Sequence, residues 1–254
     1  MTLPMRMVSA VAVTAAVLTA NTVRAQPHDY AILETPNIPS DANSGESIWI
    51  NTYLLSVEYC NSTNDNFVNH EMWYITCTSS SCINNGSPKY WVEVGIKSGA
   101  TSGSGCVYDT IFWADSRPGG GYNEHYYPNV GWNTGSPSNP AWYDMGITNS
   151  ASCTWSVVFG GVNLGISTSN CAGSGRILEA GIEHKVNVQE ADYALGNLTN
   201  WVEEESPSGG PWLDQWDGVG NGNGIAIQWN SGLTPEALMT FVSNTETEEG
   251  LGQD

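Results

Sequence analysis

Two glutamates stand at matching positions in two similar segments of the chain. Residues 91–96 read Trp-Val-Glu-Val-Gly-Ile, and residues 177–182 read Ile-Leu-Glu-Ala-Gly-Ile. Successive side chains of a strand point to opposite faces, so the flanking aliphatic residues share one face and Glu93 and Glu179 point the other way. Two carboxyl groups brought together in this way could perform acid–base hydrolysis. The same pattern is compatible with ordinary outward polar residues of amphipathic strands.

Residues 112–127 form the densest polar and aromatic stretch of the chain. Arg117 could pair with Asp115 or Glu124, or it could hold a substrate carboxylate. His125 could orient a catalytic carboxylate, or it could be a hydrogen-bonded structural histidine. This stretch therefore supplies candidate binding residues beside the two glutamates.

The chain contains 11 Trp and 11 Tyr but only 4 Phe. Aromatic side chains with a polar group suit half-exposed surfaces and clefts, although a tryptophan-rich core uses them too. Trp91 lies on the same predicted strand face as Glu93 and could form a wall beside it. Further cleft candidates are Trp73, Trp113, Trp132 and Trp142.

Short runs rich in Val, Ile, Tyr, Trp and Thr alternate with Gly, Asn, Ser and Pro clusters from about residue 47 onward. This regular spacing predicts an all-β protein, an antiparallel β-sandwich or jelly roll with a concave-sheet cleft and little helix. The predicted strands are Ser47–Glu58, Glu71–Thr76, Tyr90–Lys97, Val107–Ala114, Asn123–Tyr127, Trp142–Asn149, Thr154–Phe159, Val162–Ser167, Arg176–Val188 and Gly224–Asn230. Thr234-Pro235 resembles a helix start, so we predict a helix over Glu236–Val242, and residues 189–195 are expected to form a short helix or loop.

The N-terminus is typical of an export signal. A short basic start, an apolar run too short to cross a bilayer, and Val-Arg-Ala at residues 23–25 predict a signal peptide over residues 1–25 and a secreted protein. Residues 26–46 are expected to be an extended lead-in, residues 47–243 the β-sandwich domain, and residues 244–254 a disordered acidic tail.

The formal net charge is −19, and it becomes −21 when the signal leaves with its two arginines and no acidic residue. Phosphate binding needs clustered Lys and Arg, so this charge argues against nucleic-acid and anionic-membrane partners. Six cysteines in an exported chain predict three disulfides, and we expect one to join Cys153 to Cys171.

Several catalytic motifs are missing from the sequence. It contains no Gly-x-Ser-x-Gly, no His-Glu-x-x-His, no phosphate loop and no Cys-x-x-Cys pair, which disfavours serine hydrolase, zinc and nucleotide chemistry. The loop at residues 214–224 offers oxygen ligands, but its spacing does not match an EF-hand. We therefore predict neither a metal nor another cofactor.

The run Tyr90–Ile96, followed by Cys106 and then by Ile111–Asp115, resembles the neprosin-type glutamic peptidases. Their motif is Glu or Gln, a small residue, Gly and an aromatic or aliphatic residue, followed by a Phe/Tyr-Trp strand. The same stretch is similar to the fungal glutamic peptidases, the eqolisins, in which a strand carries the catalytic Gln two residues before a Gly. The resemblance covers about residues 70–185 and implies a secreted, concanavalin-like β-sandwich with its catalytic residues on the concave sheet.

The resemblance implies a catalytic role for Glu93, at the position of the Gln or first Glu, and for Glu179, at the position of the second. Glu183 shares a strand face with Glu179 and is the competing choice. One glutamate would be ionised and activate water, while the other would be protonated and donate to the oxyanion, which favours acid pH. The predicted substrate-binding residues are Trp91, Trp113, Arg117, Glu124, His125 and Glu183.

The sequence therefore predicts a monomeric secreted peptidase acting on a polypeptide. Two alternatives use the same residues. One is a carbohydrate-active enzyme on a jelly roll, with a polysaccharide substrate and the same carboxyl groups. The other is a non-catalytic glycan-binding module with a Trp and Tyr platform.

Overall fold

The structure is a computed structural model. It describes residues 29–39, 45–52, 66–77, 89–103, 105–117, 121–128, 141–151, 153–168, 175–185, 196–199, 203–204, 213–214, 225–229, 236–243 and 246–252. These residues form strands, turns and short connections, and none of them is helical. In this part of the chain there is accordingly no helix with the length and apolar character needed to span a membrane.

The described residues form sixteen strands. In chain order they are β1 (Asp29–Pro39), β2 (Gly45–Thr52), β3 (Phe67–Cys77), β4 (Lys89–Ala100), β5 (Cys106–Arg117), β6 (Gly121–Tyr127), β7 (Ala141–Ala151), β8 (Thr154–Phe159), β9 (Val162–Ser167), β10 (Gly175–Lys185), β11 (Gly196–Thr199), β12 (Glu203–Glu204), β13 (Leu213–Asp214), β14 (Ile225–Trp229), β15 (Glu236–Ser243) and β16 (Glu246–Gly252).

Fourteen of these strands build two seven-stranded sheets. Sheet A has the order β14-β1-β10-β3-β4-β5-β6, and sheet B has the order β15-β16-β11-β2-β7-β8-β9. Strands β12 and β13 form a separate two-stranded sheet. All of the strand pairs are antiparallel. The predicted fold class, an all-β antiparallel sandwich, is confirmed.

Turn chemistry explains why the β8–β9 hairpin has the bounds that the sequence predicts. Gly160 and Gly161 connect the two strands with φ angles of 57° and 75°. A two-residue hairpin loop with both φ angles positive matches the right-handed twist of the strands, and glycine adopts it without steric cost. The apolar–polar alternation of β8 then buries every second side chain.

The core lies between the two sheets. From sheet A it receives the side chains that alternate with the polar ones on β3, β4, β5 and β10, and sheet B contributes β7, β8 and β9. Among its buried members are Met72, Tyr74, Val92, Val94, Ile96, Ile111, Trp113, Ala180 and Ile182 from sheet A, and Met145, Ile147, Trp155, Val157, Phe159 and Leu164 from sheet B. The rings of Tyr74 and Trp155 meet across the interface at a centroid distance of 4.3 Å.

Side-chain hydrogen bonds from strands β5 and β6 of sheet A join the sheets at strand β9 of sheet B. The Trp113 indole donates to the Tyr127 hydroxyl at 3.0 Å, and that hydroxyl donates to the Leu164 carbonyl. Ser167 donates to the Asp115 carboxylate at 2.7 Å. These buried polar groups therefore have partners, which avoids the cost of burying them alone.

The predicted helix at residues 236–242 is wrong, because the structure forms strand β15 there. The local start signal at Thr234-Pro235 is outweighed by pairing of Glu236–Ser243 with β16, and Thr, Phe and Val in this run favour a strand. Strand β16 also lies within the segment expected to be a disordered tail, and β1 brings part of the expected lead-in into sheet A as a paired strand. The predicted loop or helix at residues 189–195 lies outside the described residues.

The predicted Cys153–Cys171 disulfide is not formed. Cys153 lies half-buried in the turn between β7 and β8, with a φ angle of 58°, and is not disulfide-bonded. Cys171 lies outside the described residues. Cys106, at the start of β5, is disulfide-bonded.

Phe159 provides a test of the core. We expect Phe159→Ala to lower the free energy of unfolding by about 3–5 kcal/mol, because this buried ring would leave a cavity between the sheets. Ile166→Ala on the adjacent strand is the matched control, since Ile166 is 55% exposed, and its effect should stay within about 0.5 kcal/mol. Urea denaturation followed by tryptophan fluorescence measures both, and equal effects would contradict this packing.

Candidate active site on the outer face of sheet A

Strand β3 aligns the two predicted catalytic glutamates. Trp73 is the cross-strand partner of Glu179 on one side and of Glu93 on the other. Directly paired residues of antiparallel strands point to the same face, so all three side chains lie on the face of sheet A that points away from sheet B, here called the outer face. At about 4.8 Å between strands, the Cα atoms of the two glutamates are roughly 10 Å apart. The predicted placement on near-adjacent strands with a common face is confirmed, while the catalytic roles stay predictions.

The two glycines of the echoed segments also share a partner. Glu71 pairs with Gly181 on β10 and with Gly95 on β4. A Cβ atom on Gly95 would lie 2.3 Å from the His70 carbonyl oxygen and 2.5 Å from the Glu71 Cβ, so only glycine permits this approach of β4 to β3. Gly181 adopts a φ angle of 151°, which residues with a side chain rarely adopt. The glycines therefore flank Glu71, just as the glutamates flank Trp73.

Glu93 is buried and held by two aromatic donors. The Trp91 indole donates to its Oε2 at 3.1 Å, and the Tyr122 hydroxyl donates to its Oε1. Burial raises the pKa of Glu93 to about 7. The hydrogen bond from Tyr122 and the charge of Lys97 act in the opposite direction, while the charges of Glu183 and Glu124 raise it further. This carboxyl group therefore keeps its proton through most of the acid range.

A second carboxyl group, Glu124, is fully engaged beside Glu93. Lys97 contacts its Oε1 at 2.6 Å, and the Ser102 backbone N–H donates to its Oε2 at 2.6 Å, as does the Tyr126 hydroxyl. Burial alone would raise its pKa, but Lys97 and these hydrogen bonds outweigh burial and lower it. Glu124 is therefore an ionised acceptor at the pH where Glu93 is protonated.

The Tyr122 hydroxyl connects these two unlike carboxyl groups. It donates to Glu93 and lies 3.1 Å from Glu124 Oε1, within donating distance of both groups. A hydroxyl carries one proton and can also accept, so it serves one carboxylate at a time. When it donates to ionised Glu124, protonated Glu93 can donate to the tyrosine oxygen. The contacts thus allow a hydrogen-bonded chain that accommodates a proton on Glu93.

Glu71 is a buried carboxyl group that the sequence reasoning missed. Neither of its oxygens makes a hydrogen bond of normal geometry, although the Asn69 side chain approaches closely enough to act on its pKa. Burial raises its pKa well above the ordinary value, and repulsion from Glu93 and Glu183 raises it further, while Asn69 and Lys97 act more weakly in the opposite direction. The alternation of side chains along the strand could have revealed it, because Glu71 lies two residues before Trp73 and therefore shares its face.

The structure brings together some of the predicted binding residues and separates others. Trp91 and Glu124 lie in the site, and Glu183 is on the outer face, where its charge raises the pKa of Glu93. Trp113 and His125 are not part of it. Their rings stack at 4.0 Å on the face that meets sheet B, because a cross-strand pair shares one face.

The remaining predicted residues lie elsewhere or are only partly placed. Arg117 ends β5 opposite Gly121. Of its two predicted partners, Asp115 accepts from Ser167 across the core and Glu124 is bound to Lys97. Trp142 lies in β7 of sheet B, and Trp132 and most of the oxygen-rich loop at residues 214–224 fall outside the described residues. Lys97 and Tyr122 were not predicted for the site, although facing parity with Glu93 and Glu124 could have indicated both.

No metal centre is evident in the part of the chain that the structure describes. There, no group of three or more His, Cys, Asp and Glu side chains has an arrangement that could hold a metal ion. The chemistry open to the site is proton transfer between carboxyl groups of different pKa, with Tyr122 and Trp91 as fixed donors.

The comparisons with known proteins found similarity among solved structures. No family model matches the chain, and no curated protein matches it. A scytalido-glutamic peptidase with a transition-state analog inhibitor has a TM-score of 0.48 at 11% identity, covering 90% of this chain and 99% of that one. SCP-B, a member of the eqolisin family of peptidases in complex with the tripeptide Ala-Ile-His, has a TM-score of 0.42 at 13% identity over the same shares. The kappa-carrageenase from Pseudoalteromonas carrageenovora has a TM-score of 0.32 at 8% identity, covering 86% and 67%.

Gly95 tests the close approach of β4 to Glu71. We expect Gly95→Ala to lower the free energy of unfolding by about 3 kcal/mol, the upper end for overpacking, because the new methyl group would meet backbone atoms. Gly103→Ala is the control, since its nearest neighbour would be 4.0 Å away, and it should change the free energy of unfolding by less than about 0.5 kcal/mol. Chemical denaturation of both variants measures this, and a silent Gly95→Ala would contradict the register.

Glu93 also predicts a pH-dependent difference in stability. Its pKa is about 7 when folded and 4.5 when unfolded, so between these values the folded protein binds more protons and rising pH lowers the free energy of unfolding. Glu93→Gln removes this pH-dependent loss of stability, because an amide does not titrate. The free energy of unfolding of the variant minus that of the wild type should therefore increase from pH 4.5 to 7, by up to about 1.4 kcal/mol per pH unit.

Taking the difference between variant and wild type separates the effect of Glu93 on stability from that of His70. Burial lowers the pKa of His70 to about 4 from 6.5, and its contribution to stability rises with pH over that window, in both proteins. Urea unfolding at four pH values between 4.5 and 7 gives the measurement. A difference that does not change with pH would show that Glu93 titrates normally.

Proposed function

We propose that the protein is a secreted hydrolase that cleaves peptide bonds with a pair of glutamates, Glu93 and Glu179. The observation that carries the proposal is Glu93, a buried carboxyl group with a pKa raised to about 7. It shares the outer face of sheet A with Glu179 across Trp73. A carboxyl group that stays protonated beside a second one is what acid–base hydrolysis requires.

The two glutamates take different roles. Glu179 is half-buried and, as the ionised partner, accepts a proton from a water molecule whose oxygen attacks the carbonyl carbon of the scissile bond. Glu93 donates its proton to the developing oxyanion and becomes a carboxylate. Trp91 and Tyr122 then stabilise that carboxylate through the two hydrogen bonds they already make. As the C–N bond breaks, the protonated substrate oxygen returns its proton to Glu93, and Glu179 passes the proton of water to the leaving amine nitrogen.

The raised pKa of Glu93 sets the pH range of this reaction. The acid form predominates below about pH 7, while the base must be ionised, so activity should extend from acid pH towards neutrality. The polypeptide substrate is favoured by the resemblance of residues 90–96 and 111–115 to the glutamic peptidases.

A carbohydrate substrate is the second candidate. The rings of Trp91 and Tyr122 lie 6.5 Å apart beside Glu93, and aromatic faces next to carboxyl groups also suit sugar rings. Glycosidases use a carboxyl pair as well. A polysaccharide panel run beside a pH-profiled digest of denatured protein decides between the two: cleavage of the polypeptide alone supports the peptidase, and cleavage of a glycan alone overturns it.

The assigned roles predict unequal effects of two matched substitutions. Glu179→Gln should abolish turnover, a loss in kcat of at least about 10²-fold, because an amide cannot accept the proton of water. Glu93→Gln should retain measurable activity with a flatter pH profile, because its amide can still donate to an oxyanion.

Purified variants assayed on a peptide substrate from acid to neutral pH give the measurement. Equal and complete loss in both would point to two obligate carboxyl groups, as in a glycosidase. Full activity in both would mean that the two glutamates only build the sheet.

A further inference from the structure

Glu71 lies on the strand between the two proposed catalytic groups, two residues before Trp73, which is directly opposite both. It is on the central strand, its partners are the glycines that follow Glu93 and Glu179 by two residues, and it is therefore diagonal to both glutamates on the outer face. Diagonal neighbours in a sheet are about 7–8 Å apart at Cα, close enough for long side chains to interact. Glu93 and Glu179 are roughly two strand spacings apart, and the strand that carries Glu71 runs between them.

Glu71 is also the least compensated charge of the face. It is completely buried, neither oxygen makes a hydrogen bond of normal geometry, and the approach of the Asn69 side chain offsets its burial only in part. Leaving a buried carboxylate without a partner is costly, and such a group neutralises itself by keeping its proton. Two carboxyl groups this close, both buried, resist joint ionisation as well.

The neighbouring groups do not supply the missing positive charge. By register, the charged residues and tyrosines on the outer face around Glu71 are Lys89, Glu93 and Lys97 on β4, Glu179, Glu183 and Lys185 on β10, Tyr30 and Glu34 on β1, and Tyr122, Glu124 and Tyr126 on β6. Lys97 is bound to Glu124 at 2.6 Å and lies 4.5 Å from the centre of the Phe67 ring. The facing residues of β5 include Phe112 and Ala114 and carry no charge.

We infer that Glu71 is a positioning residue of this site, a third carboxyl group that shares one retained proton with Glu93 and keeps an acid in the site at neutral pH. Its role in hydrolysis rests on the proposed function, whereas the retained proton does not. Burial and then repulsion from Glu93 raise the pKa of Glu71, which agrees with this reading. Titration of the pair therefore belongs to both groups together.

The Glu-x-Gly pattern therefore places three carboxyl groups on one face. Gly95 and Gly181 lie opposite Glu71 and leave space for its side chain, and Glu93 and Glu179 precede these glycines by two residues on the neighbouring strands. Proton transfer from Glu93 to the substrate oxygen leaves a carboxylate there while Glu71 keeps its own proton. The substrate oxygen returns the donated proton to Glu93 as the C–N bond breaks, so the pair regains its starting charge. No further reactant is needed for this exchange.

Titration of the glutamate side chains tests the inference without any substrate. The full-length protein, labelled with carbon-13 at the glutamate carboxyl carbons, is followed by NMR from pH 4 to pH 10. We expect two raised steps in the wild type, one near pH 7 and one higher. Glu71→Gln should abolish the higher step and keep the lower one. Glu93→Gln should move the higher step down by about one pH unit or more, because the repelling charge is gone.

Asp109→Asn is the matched control, since the Asp109 carboxylate lies on the same sheet and accepts from the Ser98 hydroxyl at 3.5 Å, and it should leave both steps in place. Only one raised carboxyl group in the wild type, or both steps intact in Glu71→Gln, would overturn the inference. If Glu71→Gln does not fold, as judged by near-ultraviolet circular dichroism, the wild-type and Glu93→Gln titrations still decide it.

The pH profile of peptide hydrolysis is a second readout. In Glu71→Gln we expect kcat/KM to fall at lower pH than in the wild type, while KM at pH 5 stays within about twofold. An unchanged profile would overturn the role of Glu71 in hydrolysis. Two raised steps in a wild type that cleaves no peptide would instead overturn the proposed function and leave the retained proton standing.

Discussion

Strand β3 is paired on both sides, to β10 and to β4, and this double pairing decides where the carboxyl groups of the outer face lie. Opposite Trp73 stand the two glutamates, and opposite Glu71 stand the two glycines. A slip of one residue in either ladder would turn a whole row of side chains to the other face. The apolar residues that alternate with these groups, such as Met72, Val94 and Ala180, lock the register because they are buried against sheet B. The core of the sandwich thus holds the polar face in place.

The outer face carries an electrostatic strain that the rest of the fold must offset. Glu71 and Glu93 are buried on it, and Lys97 is committed to Glu124. Removing carboxyl groups from water is unfavourable unless they are paired or neutral, so the arrangement costs stability that the apolar core supplies. Buried titratable groups with displaced pKa values are typical of functional sites, and here the displacement has a specific cause in the geometry.

The strand pattern and the facing of the echoed segments could be predicted because both depend on local periodicity. Residues 154–159 and 162–167 form strands with the predicted bounds, since alternation and a two-glycine turn fix them locally. The helix predicted over residues 236–242 failed for the opposite reason, because pairing with a distant strand outweighed a local start signal.

The site itself was only half predictable. Glu93 and Glu179 were found through a repeated pattern, but Glu71 has no echo, and its importance comes from cross-strand partners that only the register reveals. Trp113 and His125 were predicted for the site because they are near other candidate residues along the chain. They alternate with Ala114 and Glu124 on β5 and β6, so their side chains lie on the other face of the sheet. Sequence nearness is a weak guide in a sheet, where neighbours alternate between faces.

The two faces of β3 respond to pH in opposite ways. On the core side, burial keeps His70 neutral with a pKa of about 4, so its contribution to stability is lost as pH falls from 6.5 towards 4. On the outer side, Glu93 of the neighbouring strand β4 lowers the free energy of unfolding as pH rises from 4.5 to 7, and Glu71 of β3, whose pKa is also raised by burial, acts in the same direction. Between pH 4.5 and 6.5 the slope of His70 opposes those of the two carboxyl groups and offsets them only in part, while above 6.5 the carboxyl groups act without this compensation. Sheet A thereby joins a proton-holding outer face to a proton-excluding core face, and these three groups favour the folded state most in the mildly acid range in which the proposed acid and base hold the protonation states that they need.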